Sequence, residues 1–180
     1  MRLHLVRHLQ PVVACGLCYG RSDLAVDAQL QTAALPALRA RLPPGAPLYS
    51  SPLQRCASLA RALSPHVQFD PRLAELDFGA WELRPWDTIA RAEIDAWAQD
   101  VALYRPGGGE SVFDMARRIA AFYDDLVELR LPSAVLVCHA GAMRLLAARA
   151  RGLDPMQMAL DAAARPHAID YGEVMIIGGV

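Results

Sequence analysis

Apolar and polar positions divide the chain into short apolar runs and longer amphipathic stretches that alternate. The first run, "RLHLV", opens a strand at Arg2–His8. A Gly-containing loop, "LQPVVACGLCYGRSD", follows it. Asp27 is then placed to cap a helix through "AQLQTAALPALRARL", with Pro36 as a weak point inside it. "PPG" ends that helix, and Ala46–Ser51 reads as a second strand. Ser51-Pro52 suits a helix start, with Ser as N-cap and Pro at the first helical position, running to about Leu63. "HVQFD" is a short third strand. Residues 71–109 are less regular and hold all three tryptophans and the "RPGGGES" turn, with a helix expected over Asp87–Asp100. Glu110–Leu129 has a helical period, with Val112, Met115, Ile119, Phe122 and Leu126 on its apolar face. Ser133–His139 is an uninterrupted apolar run, which marks a strand buried on both faces. "AGAMRLLAARARG" and "DPMQMALDAAAR" read as helices, the first closed by Gly152. "AIDYGEVMIIGG" is a final strand in which Tyr171-Gly172 can turn a hairpin.

Strands that alternate with helices specify a three-layer α/β/α sandwich around a largely parallel sheet. The 180 residues suit one domain over 1–180. Hydrophobic residues make up 54% and charged residues 21%, so the chain can bury a full core. The net charge is −1, which argues against nucleic acid as a partner. All 18 basic residues are arginines. Any anion site must therefore be built from Arg, His and backbone N–H groups. No apolar run reaches the ~18 residues of a membrane span, and no charged leader precedes the first strand. The expectation is a cytoplasmic protein without a membrane partner. Four cysteines in a chain of this size do not suggest a disulfide scaffold.

In parallel sheets, ligands bind beyond the carboxyl ends of the strands. Arg7-His8 ends the first strand, Ser50-Ser51 the second, and His139 the fourth. Arg55 follows one turn into the helix after the second strand. A single such residue is ordinarily a hydrogen-bonded or solvated side chain. Four of them at the matching ends of neighbouring strands describe a pocket for a dianion such as a phosphoryl group, aided by helix N-termini.

"LVRHLQP", "YSSPLQRC", "RLAELDFGAWE", "GGGES" with Arg117-Arg118, and "LVCHAGAMR" follow one another between residues 2 and 144. In type and order they resemble the motifs of the histidine phosphatase superfamily, the phosphoglycerate-mutase-like proteins. The sub-pattern "RHLQP…GLCYGRSDL" with "FGAWELR" is most similar to the α-ribazole phosphatase-like branch. The resemblance implies a phosphoglycerate mutase-like fold and a phosphomonoesterase that needs no metal and no cofactor. His8 would be the nucleophile, forming a phosphohistidine. Arg7, Arg55 and His139 would hold the phosphoryl oxygens, with Ala140 beside them at the helix start. His139 would be protonated while phosphate is bound. Glu75 would protonate the leaving alkoxide and then activate water. Asp77 and Glu82 are rival carboxylates, Glu82 being assigned to hold the loop. Arg21 and Arg84 are candidates for contacting the rest of a small phosphorylated substrate. The oligomeric state is open, with a homodimer as one option.

Three positions depart from the pattern. The Gly after the histidine is Leu9, the mutase-like Asn is Ala14, and the Gly after Trp-Glu is Leu83. A phosphatase is favoured over a phosphoglycerate mutase because 180 residues leave little room for mutase insertions. Two rival functions rest on the cysteines. Cys15-Gly-Leu-Cys18 could be a redox pair. Cys15, Cys18, Cys138 and His139 could instead bind zinc.

Overall fold

A computed structural model describes residues 1–164 and 168–178. Five strands form one sheet: β1 (Arg2–Arg7), β2 (Leu48–Ser50), β3 (Val67–Phe69), β4 (Ser133–Cys138) and β5 (Val174–Ile177). Their order is β3-β2-β4-β1-β5. The first four run parallel, and β5 pairs antiparallel with β1 at the edge. Six α-helices accompany them among the described residues: α1 (Ala28–Arg41), α2 (Gln54–Leu63), α3 (Arg91–Gln99), α4 (Val112–Glu128), α5 (Ala140–Ala150) and α6 (Pro155–Ala163).

The period-2 alternation of the strands sorts the core into two layers. Leu3, Leu5, Leu136 and Cys138 face α4, α5 and α6, packing with Met115, Ile119, Leu146 and Met158. Val6, Val135 and Val137 face α1 and α2, packing with Leu38, Cys56 and Leu59. The register sets the ends of three neighbouring strands side by side. Arg7 of β1 pairs with Cys138 of β4, and Ser50 of β2 pairs with Val137. The alignment continues past the strands, since the His8 N–H donates to Cys138 O and the Ser51 N–H to Val137 O, both at 3.0 Å.

Several boundaries differ from those read in the sequence, each for a local reason. Asp27 caps α1 as expected, accepting from Gln29 N and Leu30 N at 2.9 and 2.8 Å. Pro36 is accommodated within α1. Ser51 is not the N-cap of α2: its hydroxyl accepts the Leu53 N–H at 3.3 Å, one residue before the helix begins, and lies 2.9 Å from His139 Nε2. The helix starts at Gln54, and Asp23 from the loop accepts the Gln54 N–H at 2.6 Å. The expected helix from Asp87 begins only at Arg91, because Ile89 stays extended and buries itself beside Trp81 and Cys18. Ser111 caps α4, so that helix starts at Val112. Tyr171-Gly172 turns the chain into β5, but no hairpin forms, because β5 takes β1 as its partner. The expected end of α6 at Arg165 lies outside the described residues.

The segment before α4 is held by close backbone contact. The turn at Gly79 stacks on the turn at Gly107, and both residues adopt positive φ, 51° and 57°. A Cβ on Gly107 would fall 2.7 Å from the Ala80 and Trp81 nitrogens. Gly107 and Gly109 of the "GGG" run are therefore packing requirements of the loop that carries Glu75 and Glu82, whereas Gly108 has open space around it.

Candidate active site

His8, Arg7, Arg55 and Glu75 open onto one cavity of about 600 Å³. His8 is almost fully buried, at 3% exposure. Its Nδ1 lies 2.7 Å from its neighbour's carbonyl, Leu9 O. A carbonyl only accepts, so Nδ1 carries the proton and Nε2 keeps its lone pair. Burial, with help from the Arg55 and Arg7 charges, lowers the His8 pKa to about 3. The ring is thus neutral at physiological pH, the state a nucleophile needs. Leu9 takes the place of glycine without strain. It points into the core, and the only positive-φ non-glycine residues among those described are Leu83 and Arg130.

The arginines are positioned by backbone carbonyls. Arg7 Nη1 donates to Ile169 O at 2.5 Å. Arg55 is fully buried and donates to Ser22 O and Gly20 O at 2.7 and 2.5 Å. The Nε atoms of both arginines are buried and have no hydrogen-bond partner among the described residues. Glu82 holds the loop that supplies those carbonyls. It accepts from the Gly20, Arg21, Ser22 and Phe78 N–H groups at 2.8–3.1 Å and from the Ser22 hydroxyl. Burial alone would raise its pKa, but these bonds keep it below the usual carboxylate value. Glu82 is therefore the loop holder assigned from sequence.

Glu75 sits at the start of α5. Its carboxylate accepts from Gly141 N at 3.0 Å and from Leu76 N at 3.1 Å. Its backbone is held by Arg118, which donates to the Arg72, Ala74 and Glu75 carbonyls at 2.6, 2.7 and 3.1 Å. Arg118 also makes a fork with Glu110, at 2.7 and 2.8 Å. Of the Arg117-Arg118 pair, Arg118 is the residue that organises the site.

His139 is buried, and its ring meets that of His8 edge-on at 5.0 Å. Its Nε2 lies 2.9 Å from the Ser51 hydroxyl. Burial first, then the Arg55 charge, holds its pKa well below the ordinary value. His139 is absent from the cavity wall, whereas Ala140 forms part of it. Two expectations move. Arg21 and Arg84 do not line the cavity. Arg21 has its backbone N–H held by Glu82 and reaches Asp77 at 3.7 Å, whereas Arg84 donates to Thr88 O at 2.6 Å within its own turn.

Other cavity residues were given no role from the sequence, although Tyr19 and Arg144 lie within the "GLCYGRSDL" and "LVCHAGAMR" motifs. Tyr19 and Tyr171 flank the phosphate end, and Arg144 of "HAGAMR" joins from α5. The far wall is apolar and aromatic, with Leu17, Phe78, Trp86, Trp97 and Val101. Trp86 and Trp97 are parallel at 6.2 Å, and Phe78 meets both edge-on.

The cysteine readings fail on geometry and charge. Cys15, Cys18, Cys56 and Cys138 are all free. Burial and Glu82 push the Cys18 thiol up to about 12, opposite to a reactive redox thiol. Among the described residues, no three His, Cys, Asp or Glu side chains group to hold a metal ion, so the proposed zinc quartet is not assembled. Among the same residues, no helix is long and apolar enough to cross a membrane.

The sequence profile of the Histidine phosphatase superfamily (branch 1) matches residues 3–169. A probable phosphoglycerate mutase of Yersinia enterocolitica is 31% identical over 166 residues, covering 86% of this chain and 77% of that one. Three mycobacterial proteins match 65% of this chain, which spans only 32% of their length. The α-ribazole phosphatase of Shigella flexneri superposes with a TM-score of 0.82 at 26% identity, covering 99% of this chain and 90% of that one. A mycobacterial glucosyl-3-phosphoglycerate phosphatase gives 0.80 at 26% identity, covering 98% and 92%.

Proposed function

This chain belongs to the histidine phosphatase superfamily, and from that premise we propose that it is a metal-independent phosphomonoesterase working through a phosphohistidine. The observation that carries the reading is the His8 ring. Its Nδ1–H is tied to Leu9 O, and its free Nε2 shares a cavity with Arg7, Arg55 and Glu75.

His8 Nε2 attacks phosphorus, and the P–O bond to the leaving group breaks. Glu75, held at the start of α5, gives its proton to the departing alkoxide. The resulting carboxylate then takes a proton from water, which attacks the phosphohistidine and releases phosphate. Arg7 and Arg55 carry the charge on the phosphoryl oxygens. His139 joins them once a bound dianion offsets the arginine charges that help keep it neutral. Magnitudes call for the whole set. Phosphate monoester hydrolysis is accelerated by up to ~10²¹, well over 20 kcal/mol, whereas one charge-assisted hydrogen bond gives about 1.5–3 kcal/mol.

The apolar, aromatic far wall supports an ester whose leaving group carries a bulky apolar part. α-Ribazole 5′-phosphate, a phosphate joined to a planar aromatic base through ribose, is the leading candidate. Glucosyl-3-phosphoglycerate is the alternative drawn from the neighbours. Four free cysteines fit a cytoplasmic setting.

The test is hydrolysis of p-nitrophenyl phosphate in excess EDTA by wild type and His8→Ala, followed by phosphate release from a metabolite panel. Metal-independent turnover that vanishes in His8→Ala supports the proposal. Turnover that survives the substitution, or an inactive wild type, rejects it. Transfer of the phosphoryl group between phosphoglycerate positions in place of release would establish a mutase.

A further inference from the structure

Two tyrosines from distant parts of the chain meet at the phosphate end of the cavity. Tyr19 comes from the loop after β1 and Tyr171 from the turn before β5, and their hydroxyls lie 2.6 Å apart. The Tyr171 ring covers the Arg7 guanidinium, with its carbon 3.9 Å from the ring centre, and lies 5.6 Å from the His8 ring. The Tyr19 ring is 5.7 Å from the Arg55 guanidinium carbon. The pair thus stands over both arginines and beside the nucleophile.

Hydrogen-bond arithmetic gives this pair a spare proton. Two hydroxyls carry two protons, and one bond between them uses one. The accepting hydroxyl therefore keeps an O–H to give elsewhere. Burial and the neighbouring hydroxyl raise the Tyr19 pKa, so its proton is not lost near neutral pH. The surroundings attract anions, with two buried arginine Nε–H groups that have no acceptor among the described residues. The stack on Tyr171 also fixes the plane of the Arg7 guanidinium, which donates to Ile169 O.

Building on the phosphatase reading, we propose that Tyr19 and Tyr171 form a hydroxyl clamp on the phosphoryl group. The free O–H of the pair donates to a phosphoryl oxygen, and the Tyr171 ring is a positioning element for Arg7.

The test is calorimetric titration of inorganic phosphate into wild type, Tyr19→Phe, Tyr171→Phe and Tyr171→Leu, with kcat and KM for p-nitrophenyl phosphate measured beside it. A hydrogen bond to a charged group corresponds to about tenfold or more in affinity. Each Phe variant is expected to bind phosphate at least about tenfold more weakly. The Tyr19→Phe/Tyr171→Phe double variant should lose little more than either single, because the hydroxyls work as a unit. Tyr171→Leu should bind more weakly than Tyr171→Phe, which keeps the stack on Arg7. Wild-type affinity in both Phe variants overturns the clamp. Equal affinity for Tyr171→Leu and Tyr171→Phe overturns the positioning role. If wild type binds phosphate but does not turn over ester, the phosphatase reading falls, while the variants still decide the clamp. If wild type binds no phosphate, both fall.

Discussion

Gly141→Ala separates catalysis from stability at one atom. Gly141 is the second residue of α5, and its N–H holds the Glu75 carboxylate at 3.0 Å. A methyl group there would lie well inside 3.0 Å of Glu75 Oε1, 3.1 Å from Cδ and 3.2 Å from Oε2, where ordinary contact starts at 3.4 Å. The backbone of α5 is fixed by the core, so the flexible carboxylate retreats, by on the order of 1 Å. A misplacement of that size costs roughly 10²-fold in rate. Alanine also suits a helix better than glycine by about 0.5–1 kcal/mol, which offsets strain from moving Glu75. The expected outcome is a kcat about 10²-fold lower on an alkyl phosphate, a smaller loss on p-nitrophenyl phosphate, and an unchanged or higher Tm. The smaller loss follows because p-nitrophenolate leaves without protonation. Steady-state kinetics on both esters and a thermal melt decide it. Wild-type kcat on the alkyl ester, or the same loss on both, refutes Glu75 as the acid.

Three further outcomes follow from the structure. His8 titrates near 6.5 when unfolded and near 3 when folded, so the unfolded chain binds more protons between these values. His8 should therefore make stability fall as pH drops from 6.5 toward 3, by up to about 1.4 kcal/mol per pH unit beside the same-signed loss from His139, and His8→Asn should remove its share of that slope in denaturant melts. Leu83 is half exposed at φ 61°, a conformation costing an L-residue about 1–2 kcal/mol, against about 0.5–1 kcal/mol of chain entropy for glycine. Leu83→Gly should leave Tm unchanged or raise it, and a loss above about 1 kcal/mol would contradict the strain argument. Arg118→Ala leaves the largely buried Glu110 unpaired and three carbonyls without their donor, so urea unfolding should show a loss of about 3–5 kcal/mol, and a loss below 1 kcal/mol would refute it.

What the sequence by itself determined is the frame of the site. The apolar runs define the strands, and Arg7, His8 and His139 stand where those runs end. A parallel sheet aligns such ends, so local order along the chain already implies convergence in space. Arg55 was legible one turn into the helix that follows the second strand, whereas Glu75 was legible only through the family resemblance of "RLAELDFGAWE". What only tertiary structure decided is everything that depends on two distant loops meeting. The Tyr19–Tyr171 contact spans 152 positions, and no local pattern links the two residues. Asp23 accepts the first N–H of α2 from a separate loop, and the Ser51 hydroxyl, past the end of β2, reaches His139 past the end of β4. Arg21 and Arg84, attractive in sequence as cations near the pocket, are engaged elsewhere, Arg21 by Asp77 and Arg84 by Thr88 O. The proton on His8 Nδ1 rests on a backbone carbonyl, a partner that every residue type offers and no sequence can single out. Side-chain identity follows the period of the elements, whereas hydrogen-bond partners depend on where loops close. That closure is settled only when the whole core packs.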